Sequence, residues 1–73
     1  MTISDFIRIK ITERKTNQSE LAAKAGFKNQ SNVSMLLKSK NMRTENLIAL
    51  LDALDCELVL KDKITGAEST ITS

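Results

Sequence analysis

The sequence predicts an all-α domain of four to five short helices, closed by one short β-strand near the C-terminus. Three observations carry that prediction. Apolar residues recur at i, i+3, i+4 and i+7, most clearly as Leu47, Leu50, Leu51 and Leu54, the mark of helices that bury one stripe. Between the apolar stretches stand Asn17, Gly26 and Asn29, residue types that start and stop helices. After Asp55 the period falls to two, with Cys56, Leu58 and Leu60 alternating with Glu57, Val59 and Lys61, the pattern of a strand.

The first helix is expected from Asp5 to Lys15. Ser4 serves as its N-cap and Asp5 complements the positive helix start. Phe6, Ile7 and Ile11 supply its apolar positions, and Ile3 is expected to staple the turn before it. Asn17, with Glu20 three residues on, starts a second helix over Gln18 to Ala25. Its inner face, Leu21, Ala22 and Ala25, is small enough for a crossing helix to approach closely. Gly26 follows where a positive φ is needed, and Phe27 turns to the core. Asn29 caps a third helix from Gln30 to Leu37 or Lys38, with Val33, Leu36 and Leu37 inward and Ser31, Ser34, Met35 and Lys38 outward. A loop over residues 38–41 leads to a fourth helix, Thr44 to Leu54, capped by Arg43 or Thr44. A lone strand leaves its ladder groups unpaired, and the same strand of a second copy is the simplest partner. Residues 1–64 are expected to form the folded domain, and residues 65–73, TGAESTITS, a disordered tail.

Seventy-three residues make one domain, and a chain this short hides only about 60% of its unfolded surface. There is one cysteine, Cys56, and no histidine. That excludes an internal disulfide and a thiolate zinc site, and it removes the usual residues of nucleophilic and metal-hydrolytic catalysis. The sequence therefore calls for no metal, no cofactor and no catalytic residue, and Cys56 reads as a small buried hydrophobe. With Phe6 and Phe27 as the only aromatics, a stacking platform for single-stranded nucleic acid is not expected. No apolar run is long enough to span a bilayer, and the opening residues lack the apolar core of a signal peptide. The expected compartment is the cytoplasm, with no membrane partner. The formal net charge of +2 conceals a split. Residues 1–43 hold nine Lys/Arg against three Asp/Glu, a net +6, and residues 44–73 hold two Lys against six Asp/Glu, a net −4. Such segregation points to a polyanion as partner of the first half.

The pattern Gln18-x-x-Leu21-Ala22-x-x-x-Gly26, followed by Val33-Ser34 and Leu36-Leu37, resembles the helix-turn-helix of the Cro/repressor family, also called the Xre family. The resemblance covers roughly Phe6 to Leu54 and implies a lambda-repressor-like fold. The run from Met42-Arg43 to Leu54 and the strand Glu57-Leu58-Val59-Leu60 are similar to small Xre-type regulators and HipB-like antitoxins, in which a C-terminal strand pairs across a dimer. The chain departs from the family pattern in one place. An Ile or Val usually stands six residues after the turn glycine, where this chain has Asn32 and then Val33. One extra turn residue, within Phe27 to Asn29, is implied.

In such a pair the second helix lies in the major groove of double-stranded DNA, its N-terminal residues on base edges. Gln30 and Asn32 are amides able to pair bidentately with adenine N6 and N7. Ser31 and Ser34 can reach bases or phosphates, Met35 a thymine methyl, and Lys38 a guanine or a phosphate. Gln18, beside free backbone N–H groups, suits a phosphate. Lys28, Lys40 and Arg43 flank this surface as phosphate clamps, and Asn29 is a cap or a base contact. Plainer roles stand beside these: Gln18 capping locally, Ser34 bonding back to its own helix, Met35 in the core or a dimer surface, Lys40 and Arg43 merely solvated. The dimer seam is expected at Leu54, Cys56, Leu58, Val59 and Leu60. The expected function is a sequence-specific repressor of transcription, a homodimer on a two-fold operator. The alternative is an antitoxin that binds a toxin protein and autoregulates its operon. An enzyme is not expected.

Overall fold

The computed structural model describes residues 1–72. Four helices, α1 (Ile3–Glu13), α2 (Gln18–Ala25), α3 (Gln30–Lys38) and α4 (Thr44–Ala53), are followed by a hairpin of β1 (Leu58–Lys61) and β2 (Glu68–Ile71). The fold class is the expected one: helical, with a small C-terminal sheet. α2 packs directly on α3 and on α4, and α1 lies against α3.

Local signals set most helix ends. Asn17 caps α2 by accepting the Glu20 N–H at 2.9 Å. Gly26 ends α2 in the left-handed region, φ +86°, where a Cβ would be disfavoured. Asn29 caps α3, and the turn between the two helices is Gly26 to Asn29. Arg43 takes the N-cap position of α4 without a side-chain cap bond.

The first helix differs from expectation at both ends. Its N-cap is Thr2, whose hydroxyl accepts the Asp5 N–H at 3.1 Å while Asp5 accepts the Thr2 N–H at 3.2 Å. That reciprocal box satisfies two helix-start donors at once, so the helix begins at Ile3 and Ile3 is not a staple ahead of it. Ser4, relieved of capping, bonds across the fold instead, its Oγ donating to the Leu37 carbonyl at 2.8 Å. At the far end Lys15 turns left-handed, φ +53°, and the Thr16 N–H closes on the Ile11 carbonyl at 3.1 Å. The helix therefore stops at Glu13 rather than Lys15.

The core is aliphatic: Ile7 from α1, Leu21 and Ala22 from α2, Val33 and Leu37 from α3, Leu47, Leu50 and Leu51 from α4, and Leu54 just beyond it. Val33, not Asn32, is the buried residue of early α3. Phe6, Ile11, Phe27 and Leu36 pack around this cluster half-buried. Leu54, expected at a dimer seam, is only 1% exposed. It belongs to the monomer's own core and has no surface to offer a second copy.

The C-terminus brings the largest correction. Of the expected disordered tail, residues 65–72 form a turn and a second strand, and the strand before them does not wait for a second copy to pair. The stretch supplies β2, antiparallel to β1 in the register Leu58↔Ile71, Val59↔Thr70, Leu60↔Ser69 and Lys61↔Glu68. Ser73, the last residue of the expected tail, lies outside the described residues. The turn explains the pairing. Asp62 accepts the N–H groups of Ile64 (2.8 Å) and Thr65 (3.3 Å) on its carboxylate, Gly66 adopts φ +79°, and the Asp62 N–H donates to the Ala67 carbonyl at 2.8 Å. This is a side-chain-nucleated turn. Beyond Leu58 the hairpin stands clear of the core, with every residue from 59 to 70 exposed.

Candidate nucleic-acid interface

α3 owes its outward face to its inward one. Burying Val33 and Leu37 on one side of a 3.6-residue period leaves Gln30, Ser31, Met35 and Lys38 exposed and Ser34 at the margin. Met35 is 70% exposed, so it belongs to neither the core nor a packed monomer surface. No acidic residue stands in the first turn of α3, and Lys38 ends it.

The first turn is knit together by its own side chains. Asn29 Oδ1 accepts the Ser31 N–H at 3.0 Å, and the Ser31 hydroxyl donates to the same oxygen. Asn32 Oδ1 accepts the Asn29 N–H at 3.3 Å. Three of the residues expected to touch DNA thus also shape the helix start. Gln30 and Lys38 carry no such bond among the described residues, nor does Ser34 bond back to its helix there.

Around this helix the cations differ in freedom. Lys28, Lys38 and Lys40 are exposed and outside any ion pair among the described residues. Arg43 faces Glu45 at 3.7 Å, both side chains mostly in solvent. A pair so exposed contributes little and can yield to a phosphate. Lys10 is engaged, 2.7 Å from Glu13 and 5.3 Å from the Phe6 ring centre. Arg14 donates from Nε to the Leu54 carbonyl at 3.2 Å. Gln18 is half-buried at the start of α2, with Asn17 and not Gln18 doing the local capping.

The sequence alone does not single out the residues beside Lys38 and Lys40. Both lysines line a cleft with Ser39, Asn41 and the start of α1, Thr2 to Ser4. Ser39 Oγ accepts the Asn41 N–H at 3.1 Å and shapes the loop that carries Lys40. A signal for the loop exists in the Lys38-Ser39-Lys40-Asn41 run itself, small polar residues between cations. None exists for the part that α1 plays in the cleft, because Ser4 and Leu37 are far apart in sequence.

Two short helices crossing at a glycine corner, with the second presenting a polar, acid-free face amid lysines, define a helix-turn-helix DNA-binding domain. The family model described as Helix-turn-helix matches residues 7–61, and the chain belongs to that family, in its Cro/C1-type, Xre-like form. The match runs from within α1 to the end of β1; β2 lies beyond it. No curated protein and no solved structure matches the chain. The family is one of DNA-binding regulators of transcription rather than of enzymes. Among the described residues no helix is long and apolar enough to cross a membrane, and no cluster of His, Cys, Asp and Glu could hold a metal ion.

Proposed function

We propose that this protein is a transcriptional repressor that binds duplex DNA sequence-specifically as a homodimer on a two-fold operator. The observation that carries this reading is the outward face of α3, where Gln30, Met35 and Lys38, with Ser34 at the margin, stand on a helix that has no acidic residue, within the chain's +6 half. Gln30 and Lys38 are the direct readers, and Lys28, Lys40 and Arg43 hold phosphates with Gln18. One monomer offers few base contacts, so useful specificity requires two half-sites, roughly one helical turn apart. The dimer seam falls on β1. Val59 and Leu60 are exposed apolar residues on a strand paired on one edge only, and an apolar groove lined by Ile3, Phe6, Leu47, Leu58 and Val59 adjoins it. A two-stranded hairpin is marginal alone, which favours covering this edge with a second copy. Repression then follows from occupancy: a dimer on a promoter excludes polymerase.

The test is a fluorescence titration against duplexes from the gene's own upstream region over a range of salt concentrations. Affinity should fall steeply with salt as phosphate contacts release counterions. Binding that is absent or indifferent to salt would sink the reading.

An antitoxin is the second reading, favoured by one feature. Between α4 and the hairpin lies a groove floored by Ile48, Leu51, Leu58 and Ile71 and rimmed by Asp52 and Glu57, in the −4 half and away from the α3 face. A basic toxin segment suits it. Co-expression with the product of the adjoining gene, followed by size-exclusion chromatography, should give a stable complex on this reading and separate peaks otherwise.

A further inference from the structure

The hairpin fixes which backbone groups its free edge offers. The Asp62 N–H donates to the Ala67 carbonyl, and in this register those two residues are opposite each other. Hydrogen-bonded and open pairs alternate along an antiparallel ladder. Leu60↔Ser69 and Leu58↔Ile71 are therefore bonded pairs, and Val59 and Lys61 turn their N–H and C=O groups away from β2. No third strand takes them among the described residues. A second copy related by a two-fold axis can satisfy all four groups within β1 in one register, with Val59 of each copy opposite Lys61 of the other. The axis then passes between the two Leu60 residues. An axis at Val59 would set Lys61 opposite residue 57, outside the strand. An axis at Lys61 would oppose two ammonium groups.

The Leu60 register carries the tip of each hairpin to the base of the other. Lys63 and Ile64 of one copy fall beside Glu57 and Cys56 of the second. Tip and base complement each other. Ile64 is 94% exposed, and Lys63 beside it is in no ion pair among the described residues. At the base, an apolar groove of Ile3, Phe6, Leu47 and Leu58 is rimmed by Glu57, also outside any ion pair there. The acid of the tip, Asp62, is turned to the N–H groups of its own turn. We infer that two hairpins pair antiparallel about Leu60, and that Ile64 of each closes the groove of the other copy with Lys63 over Glu57. This rests on the reading of β1 as the dimer seam. It makes each turn a clasp, and the symmetry repeats every contact twice.

Sedimentation equilibrium of the parent and Ile64→Ser tests the clasp. Ile64 already stands in water in the single chain, so its loss removes no buried surface there, while a dimer that covers it loses it twice. The dimer dissociation constant should rise about hundredfold. Glu57→Lys should weaken the dimer roughly fivefold, and adding Lys63→Glu should restore it. Leu60→Cys, with Cys56→Ser, reads the register. Open pairs hold their Cα atoms about 4.5 Å apart, within disulfide reach, so mild oxidation should link this variant faster than Val59→Cys or Lys61→Cys. An unchanged constant for Ile64→Ser in a parent that dimerises, or faster linking at residue 59 or 61, would overturn the inference and leave the β1 seam standing. A parent that stays monomeric up to millimolar concentration would overturn the seam itself, and the inference with it.

Discussion

The polar side chains that shape this fold mostly hold backbone ends. Ser4 donates to the Leu37 carbonyl at 2.8 Å, one of the last carbonyls of α3 and without an intrahelical partner. Ser4→Ala removes that donor in a part-buried setting, and a loss of about 1–3 kcal/mol is expected in urea unfolding. Gly26 poses a different problem. A Cβ there would meet nothing within 4 Å, yet φ is +86°, so Gly26→Ala is free of clashes and bears only the left-handed backbone cost, about 1–2 kcal/mol. Three exposed carboxylates add a pH dependence. Asp5 lies below its usual 3.8 because the Thr2 backbone N–H holds it, Asp62 likewise through the N–H groups of Ile64 and Thr65, and Glu13 below its usual 4.5 through Lys10. A depressed carboxylate stabilises the folded chain at pH above its unfolded value, and that contribution is lost as pH falls through the folded value. Thermal stability should therefore decline as pH drops below about 4.5, and Asp5→Asn should show a shallower decline. Asn17, Gly26 and Asn29 are legible in the sequence because each acts within three or four residues. The Ser4–Leu37 bond is not, since its partners meet only when α1 and α3 do.

Among the elements, α2, α3 and α4 can be read because their apolar spacing and their caps agree. β2 cannot. Glu68-Ser69-Thr70-Ile71 has one apolar residue, and nothing in its own pattern separates it from a polar tail. What makes it a strand is non-local: a turn gathered by Asp62 and a neighbour, β1, already anchored through Leu58. Asp62→Ala tests that order of cause. It removes the acceptor for the Ile64 and Thr65 N–H groups, at about 1 kcal/mol for each hydrogen bond lost. Amide hydrogen exchange in β1 and β2 should then speed up by roughly fivefold or more, while exchange in the four helices stays as it was. Equal acceleration in the helices would mean that the hairpin is part of the helical core's cooperative unit and not an arm attached to it.

For the molecule as a whole, the basic surface is easier to read from sequence than the division of labour within it. The residues that face outward on α3 follow from the burial of Val33 and Leu37. That the Asn32 side chain also accepts the Asn29 N–H does not, because the bond forms only once the first turn of the helix is in place. Leu54 is hidden from a seam for a similar reason: it sits beside the alternating strand pattern in sequence, yet it closes the core at the end of α4. What stays exposed is Leu60, 57% open on β1, with Ile64, 94% open, at the hairpin tip. Leu60 is not a member of the buried core, so Leu60→Asp is expected to leave the helical core folded and to act on association. Sedimentation at micromolar concentration should show a dimer for the parent and a monomer for this variant, because two carboxylates brought together across a seam repel as they lose water. The same variant should lose affinity for a duplex with two half-sites and retain that for a single half-site, since the α3 face is untouched. If dimers persist unchanged, the seam lies elsewhere, and the groove between α4 and β2 is the next surface to alter. If single half-site binding falls as well, the hairpin itself reaches the DNA and is part of the interface rather than the dimer.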